Sequence, residues 1–156
     1  RKESSAASDV YKRQVYGVLP FFHIYGLTAL ANVTLAQRGC LVTAPKFDIA
    51  EFLRAHQDHN VSFSFIAPPI AVLLAKHPAV AEADLSSLRA FFSGAATLDT
   101  ELAHAVEERL RVPVQQGYGM TETSPMTHAN QDPHVDRGSI GEVVANTEFK
   151  LSLIHI

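Results

Sequence analysis

Short β-branched and aromatic runs alternate along this chain with helix-length amphipathic stretches, and that alternation limits the fold more than any other feature. The strand-type runs are VYGVL (15–19), CLVTA (40–44), VSFSFIA (61–67), LRAFFSG (88–94) and VPVQQ (112–116). Between them lie YGLTALANVTLAQR, DIAEFLRAHQDH, PPIAVLLAKHP and LDTELAHAVEERLR. Strands separated by helices need crossover connections, so the expected class is α/β: a mostly parallel sheet with flanking helices.

Local signals support the helical stretches. Leu98, Leu102, Ala105, Val106 and Leu110 form one apolar stripe, with Asp99 and Glu101 early and Arg109 and Arg111 late. Those charges complement the helix macrodipole. Asp48 before IAEFLRAH and Pro68-Pro69 before IAVLLAK are helix-start residues. The stretch GLTALANVTLA is shorter than the ~18 apolar residues of a membrane span and contains Asn32. It reads as a buried helix.

Composition narrows the classes of partner. The 156 residues are 47% hydrophobic and 19% charged, enough to build a core and too apolar for disorder. A net charge of −3 offers no general attraction to nucleic acid or to anionic lipid. Cys40 is the only cysteine, so no internal disulfide can form, and a reducing, cytoplasmic setting is expected. Its apolar neighbours predict a buried thiol.

In parallel sheets, ligands gather at the carboxyl ends of the strands. Three stretches fall there: PFFHIYG, SGAATLD and QGYGMTE. In the last, Gly117 and Gly119 permit close approach to a flat or anionic ligand, and Tyr118 offers a stacking face. Thr121 offers a hydroxyl, and Glu122 a hard carboxylate of the kind Mg²⁺ selects. The same residues also suit a glycine-rich turn closed by a Thr-x-Thr cap. SGAATLD can approach a ligand through its small residues Gly94 and Ala95, or serve only as a strand-to-helix turn with Thr97 or Asp99 as the N-cap. His23, amid aromatics, fits either a binding role or a turn. His56 and His59 stand one turn apart but have no third ligand at a zinc-protease interval, and His104, His128, His134 and His155 are scattered. G-x-S-x-G and G-x-x-x-x-G-K-[ST] are absent from the sequence.

Taken in order, LPFFHIYGL, TAPKFD, SGAATL, QGYGMTET and RGSIGEVVANTEFKL resemble the adenylate-forming acyl-CoA synthetases, nearest to the 4-coumarate–CoA ligase branch. The resemblance runs over roughly residues 16 to 151 and implies the N-terminal domain fold of those enzymes. It implies chemistry in which a carboxylic acid (aromatic, or of medium to long chain) and Mg·ATP give an acyl-adenylate, whose acyl group then passes to the thiol of CoA. On that resemblance Gln116, Gly117 and Tyr118 match the segment around the adenylate, continued by Gly119. Thr121 matches a phosphate-contacting threonine, and Glu122 the Mg²⁺ ligand. Gly94 and Ala95 match backbone contacts to the adenylate. His23 matches a histidine at the acyl-pocket entrance that moves between the two steps. Tyr25 and Thr28 match acyl-pocket positions, and Lys46 a CoA-contacting lysine.

The sequence also departs from the family pattern. The phosphate loop with its lysine, the aspartate of a TGD segment and a C-terminal lid are not in it, and Thr97 stands where a proline is usual. The expected organisation is therefore a piece of an AMP-binding domain over 15–151, flanked by tails at 1–14 and 152–156 that match nothing in the family and read as translated adapter scars. Such a piece is expected not to turn over by itself. Two other readings stay open: a non-catalytic nucleotide-binding module, and an adenylation domain that loads a carrier protein.

Overall fold

The computed structural model describes residues 13–130 and 138–152. The expected tails thus lie almost wholly outside the described residues, as do His134 and His155. Seven described strands form one sheet in the order β2-β1-β3-β4-β5-β6-β7. They are β1 (Gln14–Gly17), β2 (Cys40–Thr43), β3 (Phe63–Ile66), β4 (Ala90–Ser93), β5 (Val114–Gly119), β6 (Met126–Ala129) and β7 (Glu142–Val143). The first five pair in parallel, with Val15 opposite Phe63, Phe65 opposite Phe92 and Phe91 opposite Val114. Two antiparallel pairings then extend the sheet, Gly117 against Ala129 and His128 against Val143. The parallel layout is the one predicted, whereas β6 and β7 were not anticipated.

Helices follow the expected start signals. They are α1 (Val33–Ala36), α2 (Ile49–Asp58), α3 (Pro68–Lys76) and α4 (Thr100–Leu110). Asp48 accepts the Glu51 amide proton at 2.9 Å, and Asp99 accepts those of Glu101 and Leu102. Each carboxylate satisfies donors that the first helical turn leaves unpaired. Pro68 and Pro69 open α3. A π-helical segment, Tyr25–Asn32, runs directly into α1.

β4 is buried along its whole length, and pleating divides its aromatic pair between the two faces. Phe91 joins Tyr16, Phe52, Ile66, Leu74, Leu98, Val106 and Val114 in the larger core, which includes residues of α2, α3 and α4. Phe92 faces the other way and packs with Tyr25, Ala29 and Ala129, beside Phe63, Phe65 and Met126.

Three expectations need correction. Cys40 is exposed, because β2 is the edge strand of the sheet and its two ends are open to solvent. At α4 the expected stripe of Leu98, Leu102, Val106 and Leu110 faces the core, but its alanine is Ala103, which is buried, and not Ala105, which is exposed. The GLTALANVTLA stretch is buried on one side only: Gly26, Ala29, Leu30 and Thr34 face inward, while Leu27, Val33 and Leu35 are exposed.

Candidate functional site

The carboxyl ends of β4 and β5, the turn before the π-helical segment and the β5–β6 connection converge on one cavity of about 200 Å³. Its walls are His23, Ile24, Tyr25, Ala29, Phe92, Gly94, Ala95, Gly119, Met120, Thr121, Pro125 and Met126.

Tyr25 fixes the base of this cavity. Its hydroxyl lies 3.1 Å from the carbonyl oxygen of Phe92 and 3.4 Å from that of Ile66, so it ties the π-helical segment to the ends of β3 and β4. Burial holds its phenol well above the ordinary tyrosine range, so it stays a neutral donor. Gly94 crosses directly above that ring: a Cβ there would meet Tyr25 Cζ at 2.9 Å. The following residue, Ala95, takes the left-handed region at φ 71°, a conformation that costs an L-residue about 1 kcal/mol or more. At the opposite wall a Cβ on Gly119 would lie 1.7 Å from the Pro125 carbonyl oxygen, which permits the chain to double back into β6.

His23 is exposed at the mouth. Its Nδ1 accepts the Tyr25 amide proton at 3.1 Å, while its own carbonyl accepts from Leu27. Nδ1 is therefore the acceptor and the ring proton of the neutral imidazole resides on Nε2. Thr121 and Glu122 belong to a single 3₁₀ turn, Thr121–Thr123, with Thr121 on the cavity wall and Glu122 exposed beside it. Thr123 closes that turn: its Oγ1 accepts from Met120 N at 3.0 Å and reaches the Pro125 carbonyl at 2.8 Å. The expected Thr-x-Thr cap and the expected ligand loop are thus the same segment, divided residue by residue.

Of the residues singled out in the sequence, His23, Tyr25, Gly94, Ala95, Gly119 and Thr121 line the cavity together. Gly117 sits one layer back in β5, opposite Ala129 and against the Phe92 ring. Tyr118 is exposed on β5, with its ring 6.2 Å from that of buried His128. Gln116 is buried and spends its amide on the neighbouring loop, accepting from Leu98 N at 3.2 Å and donating to Leu98 O at 3.3 Å. Thr28 is half-buried in the π-helical segment and is not on the cavity wall. Lys46 is exposed after β2, four strands from β5, or roughly 19 Å at ~4.8 Å per strand. Sequence reasoning missed Ile24, Ala29, Phe92, Met120, Pro125 and Met126. Only Phe92 carried a usable signal, since pleating had to turn one of the AFFS aromatics toward this face. Among the described residues no three His, Cys, Asp or Glu side chains form a metal cluster, and no helix is long and apolar enough to cross a membrane.

A family model described as AMP-binding enzyme matches residues 3–152. The chain is 42% identical over 148 residues to a probable 4-coumarate–CoA ligase 1 of Dictyostelium discoideum, covering 92% of this chain and 27% of that protein. It is 39% identical over 140 residues to 4-coumarate–CoA ligase 1 of Solanum tuberosum, covering 86% and 26%. The chain therefore spans about a quarter of the length of these relatives. Among solved structures, ATP-bound MatB from Rhodopseudomonas palustris superposes with a TM-score of 0.77 at 27% identity, over 87% of this chain and 27% of that one. A red-emitting luciferase from Phrixothrix hirtus gives 0.67 at 33% identity, over 77% and 23%.

Proposed function

Starting from the fact that this chain belongs to the AMP-binding enzyme family, on its 4-coumarate–CoA ligase-like side, we propose that it is part of an ATP-dependent carboxylate–CoA ligase and supplies the acyl-adenylate cavity. In the first step a carboxylate oxygen attacks the α-phosphorus of ATP and pyrophosphate leaves. In the second, the CoA thiol attacks the acyl carbonyl and AMP leaves. The observation that carries this reading is the convergence of His23, Tyr25, Gly94, Ala95, Gly119 and Thr121, drawn from three separate stretches of sequence, on one cavity at the strand ends.

The chain's own residues have distinct tasks in it. Gly94 and Ala95 offer backbone close to the ligand, and the Thr121 hydroxyl offers a donor where negative phosphate charge would lie. Tyr25, Ala29 and Phe92 make the apolar end that would receive the acyl group. Exposed Glu122 is a suitable single carboxylate for Mg²⁺, which takes one or two protein oxygens beside water and phosphate, and which would supply charge neutralisation at the phosphates. His23 stands at the mouth, and release of its Nδ1 from the Tyr25 amide would let the ring turn between the two steps. Exposed Lys46 follows β2, whose end shares a surface cavity with Phe21 and Phe22 just before His23, and suits a contact to CoA on that side of the mouth.

Titration calorimetry with a 5′-O-(N-benzoylsulfamoyl)adenosine, an adenylate mimic, tests the reading on this chain directly. Saturable binding weakened about tenfold or more by Thr121→Ala is the expected result. Absence of binding to the unsubstituted chain would sink the reading.

A further inference from the structure

A second cavity of about 370 Å³ lies on the same face of the sheet. Among its walls are Val33 and Thr34 of α1, and Phe63 and Phe65 of β3. Arg13, Ser62 and Arg89, which immediately precede β1, β3 and β4, mark it as sitting at the amino ends of the strands. The adenylate cavity sits at their carboxyl ends, under the same continuous helix. Only one layer of aromatic rings separates the two spaces. Phe65 and Phe92 are register partners on adjacent strands, with ring centroids 5.8 Å apart. Phe65 also meets the Tyr25 ring edge-on at 5.8 Å and the Phe63 ring at 5.1 Å. Phe92 and Tyr25 belong to the wall of the first cavity, and Phe65 and Phe63 to that of the second.

Resting on the function proposed above, we infer that the Phe65–Phe92 pair is a partition that sets the length of acyl group this chain accepts. An apolar cavity of roughly 150 Å³ holds one benzene ring, and the apolar end at Tyr25, Ala29 and Phe92 is only part of the 200 Å³ on the adenylate side, so it takes a compact acyl group no larger than a single ring. A longer chain directed along the sheet meets the Phe65 ring before it reaches the second cavity. The partition is stiff, because β3 and β4 hold the two rings in register and the Tyr25 hydroxyl ties down the carbonyl of Phe92 itself. Exclusion here comes from shape and not from charge, since every side chain in the partition is apolar or, as with Tyr25, held neutral.

The test compares benzoyl- and dodecanoyl-sulfamoyladenosine by calorimetry on the unsubstituted chain and on Phe65→Ala and Phe65→Leu, with circular dichroism to verify folding. The unsubstituted chain should prefer the benzoyl compound by about tenfold or more, the scale on which a pocket rejects surplus methylenes. Both Phe65 variants should shift that ratio toward the dodecanoyl compound by at least about tenfold. If Phe65→Ala does not fold, Phe65→Leu decides the matter, together with a butanoyl-to-dodecanoyl series on the unsubstituted chain. In that series affinity should rise and then fall with length. Affinity climbing steadily to dodecanoyl, or a ratio unmoved in the folded variants, would overturn the partition while leaving the adenylate reading intact. Failure of the unsubstituted chain to bind either compound removes that reading, and the length limit with it.

Discussion

Lowering the pH from 7.5 to 5 should cost this chain about 2 kcal/mol of stability through one side chain, His56. The imidazole is fully buried on α2, stacked 4.0 Å from the Phe52 ring and 5.2 Å from that of Tyr16. Its Nδ1 lies 2.7 Å from the Phe52 carbonyl, and its Nε2 lies 2.6 Å from Ser64 Oγ on β3. The neutral ring fits both bonds, with a proton on Nδ1 and with Nε2 accepting from the serine. Burial lowers its pKa from 6.5 to about 4, partly opposed by the Phe52 carbonyl. The unfolded chain therefore takes up a proton near pH 6.5 that the folded chain refuses until about pH 4. The stabilisation is complete above pH 6.5, declines on acidification and is lost below pH 4. A gap of about 2.5 pH units at ~1.36 kcal/mol each amounts to about 3 kcal/mol, of which about 2 kcal/mol is gone by pH 5. Urea denaturation at pH 7.5, 6 and 5, on the unsubstituted chain and on His56→Gln, isolates the effect because other titrating groups cancel in the difference. That difference should shrink by about 2 kcal/mol across the range. A difference independent of pH would refute the argument.

Two further substitutions probe how the site is held. Tyr25→Phe removes the hydroxyl that bridges the Ile66 and Phe92 carbonyls, and should lower unfolding free energy by about 1–2 kcal/mol in urea titrations, with weaker binding of the adenylate mimic. Gln116→Ala breaks both bonds to the Leu98 backbone and should cost about 1–3 kcal/mol, read as a lower denaturation midpoint. An unchanged midpoint would mean that the loop from Gly94 to Leu98 is held without the glutamine.

The parallel half of the sheet was legible because each of its strands carries a run of β-branched or aromatic residues, and each crossover a helix-length stretch, three of them opened by Asp48, Pro68 or Asp99. β6 and β7 were not, because MTHA is short, with its polar Thr127 and His128 side by side in place of an alternation, and β7 is only Glu142–Val143, so pairing onto β5 and then onto β6, and not local pattern, creates them. Site residues were legible as residue types near strand ends, while their grouping depended on strand order. That order sends β2, with Lys46 after it, to the edge of the sheet, and brings His23 and Tyr25 together with Gly94 and Thr121 on one cavity. Gln116 shows the remaining limit: a polar side chain in a glycine-rich strand is equally able to meet a ligand or a neighbouring backbone, and only the nearness of Leu98 decides. Cys40 misled for a related reason, since an apolar strand sequence does not reveal whether a second strand will cover its far edge.

The Tyr25 bond to the Phe92 carbonyl joins residues 67 positions apart. Contacts of such separation close large loops and form only after most of the chain has organised. The cavity is therefore a product of the finished sheet and cannot exist in a folding intermediate that holds β5 and β6 alone, although Gly119, Met120 and Thr121 are local to that antiparallel pair. A ligand that fills it binds the native state only, so its occupancy would raise resistance to unfolding in proportion to RT ln(1 + [L]/Kd) and would report completion of folding, strand β1 included.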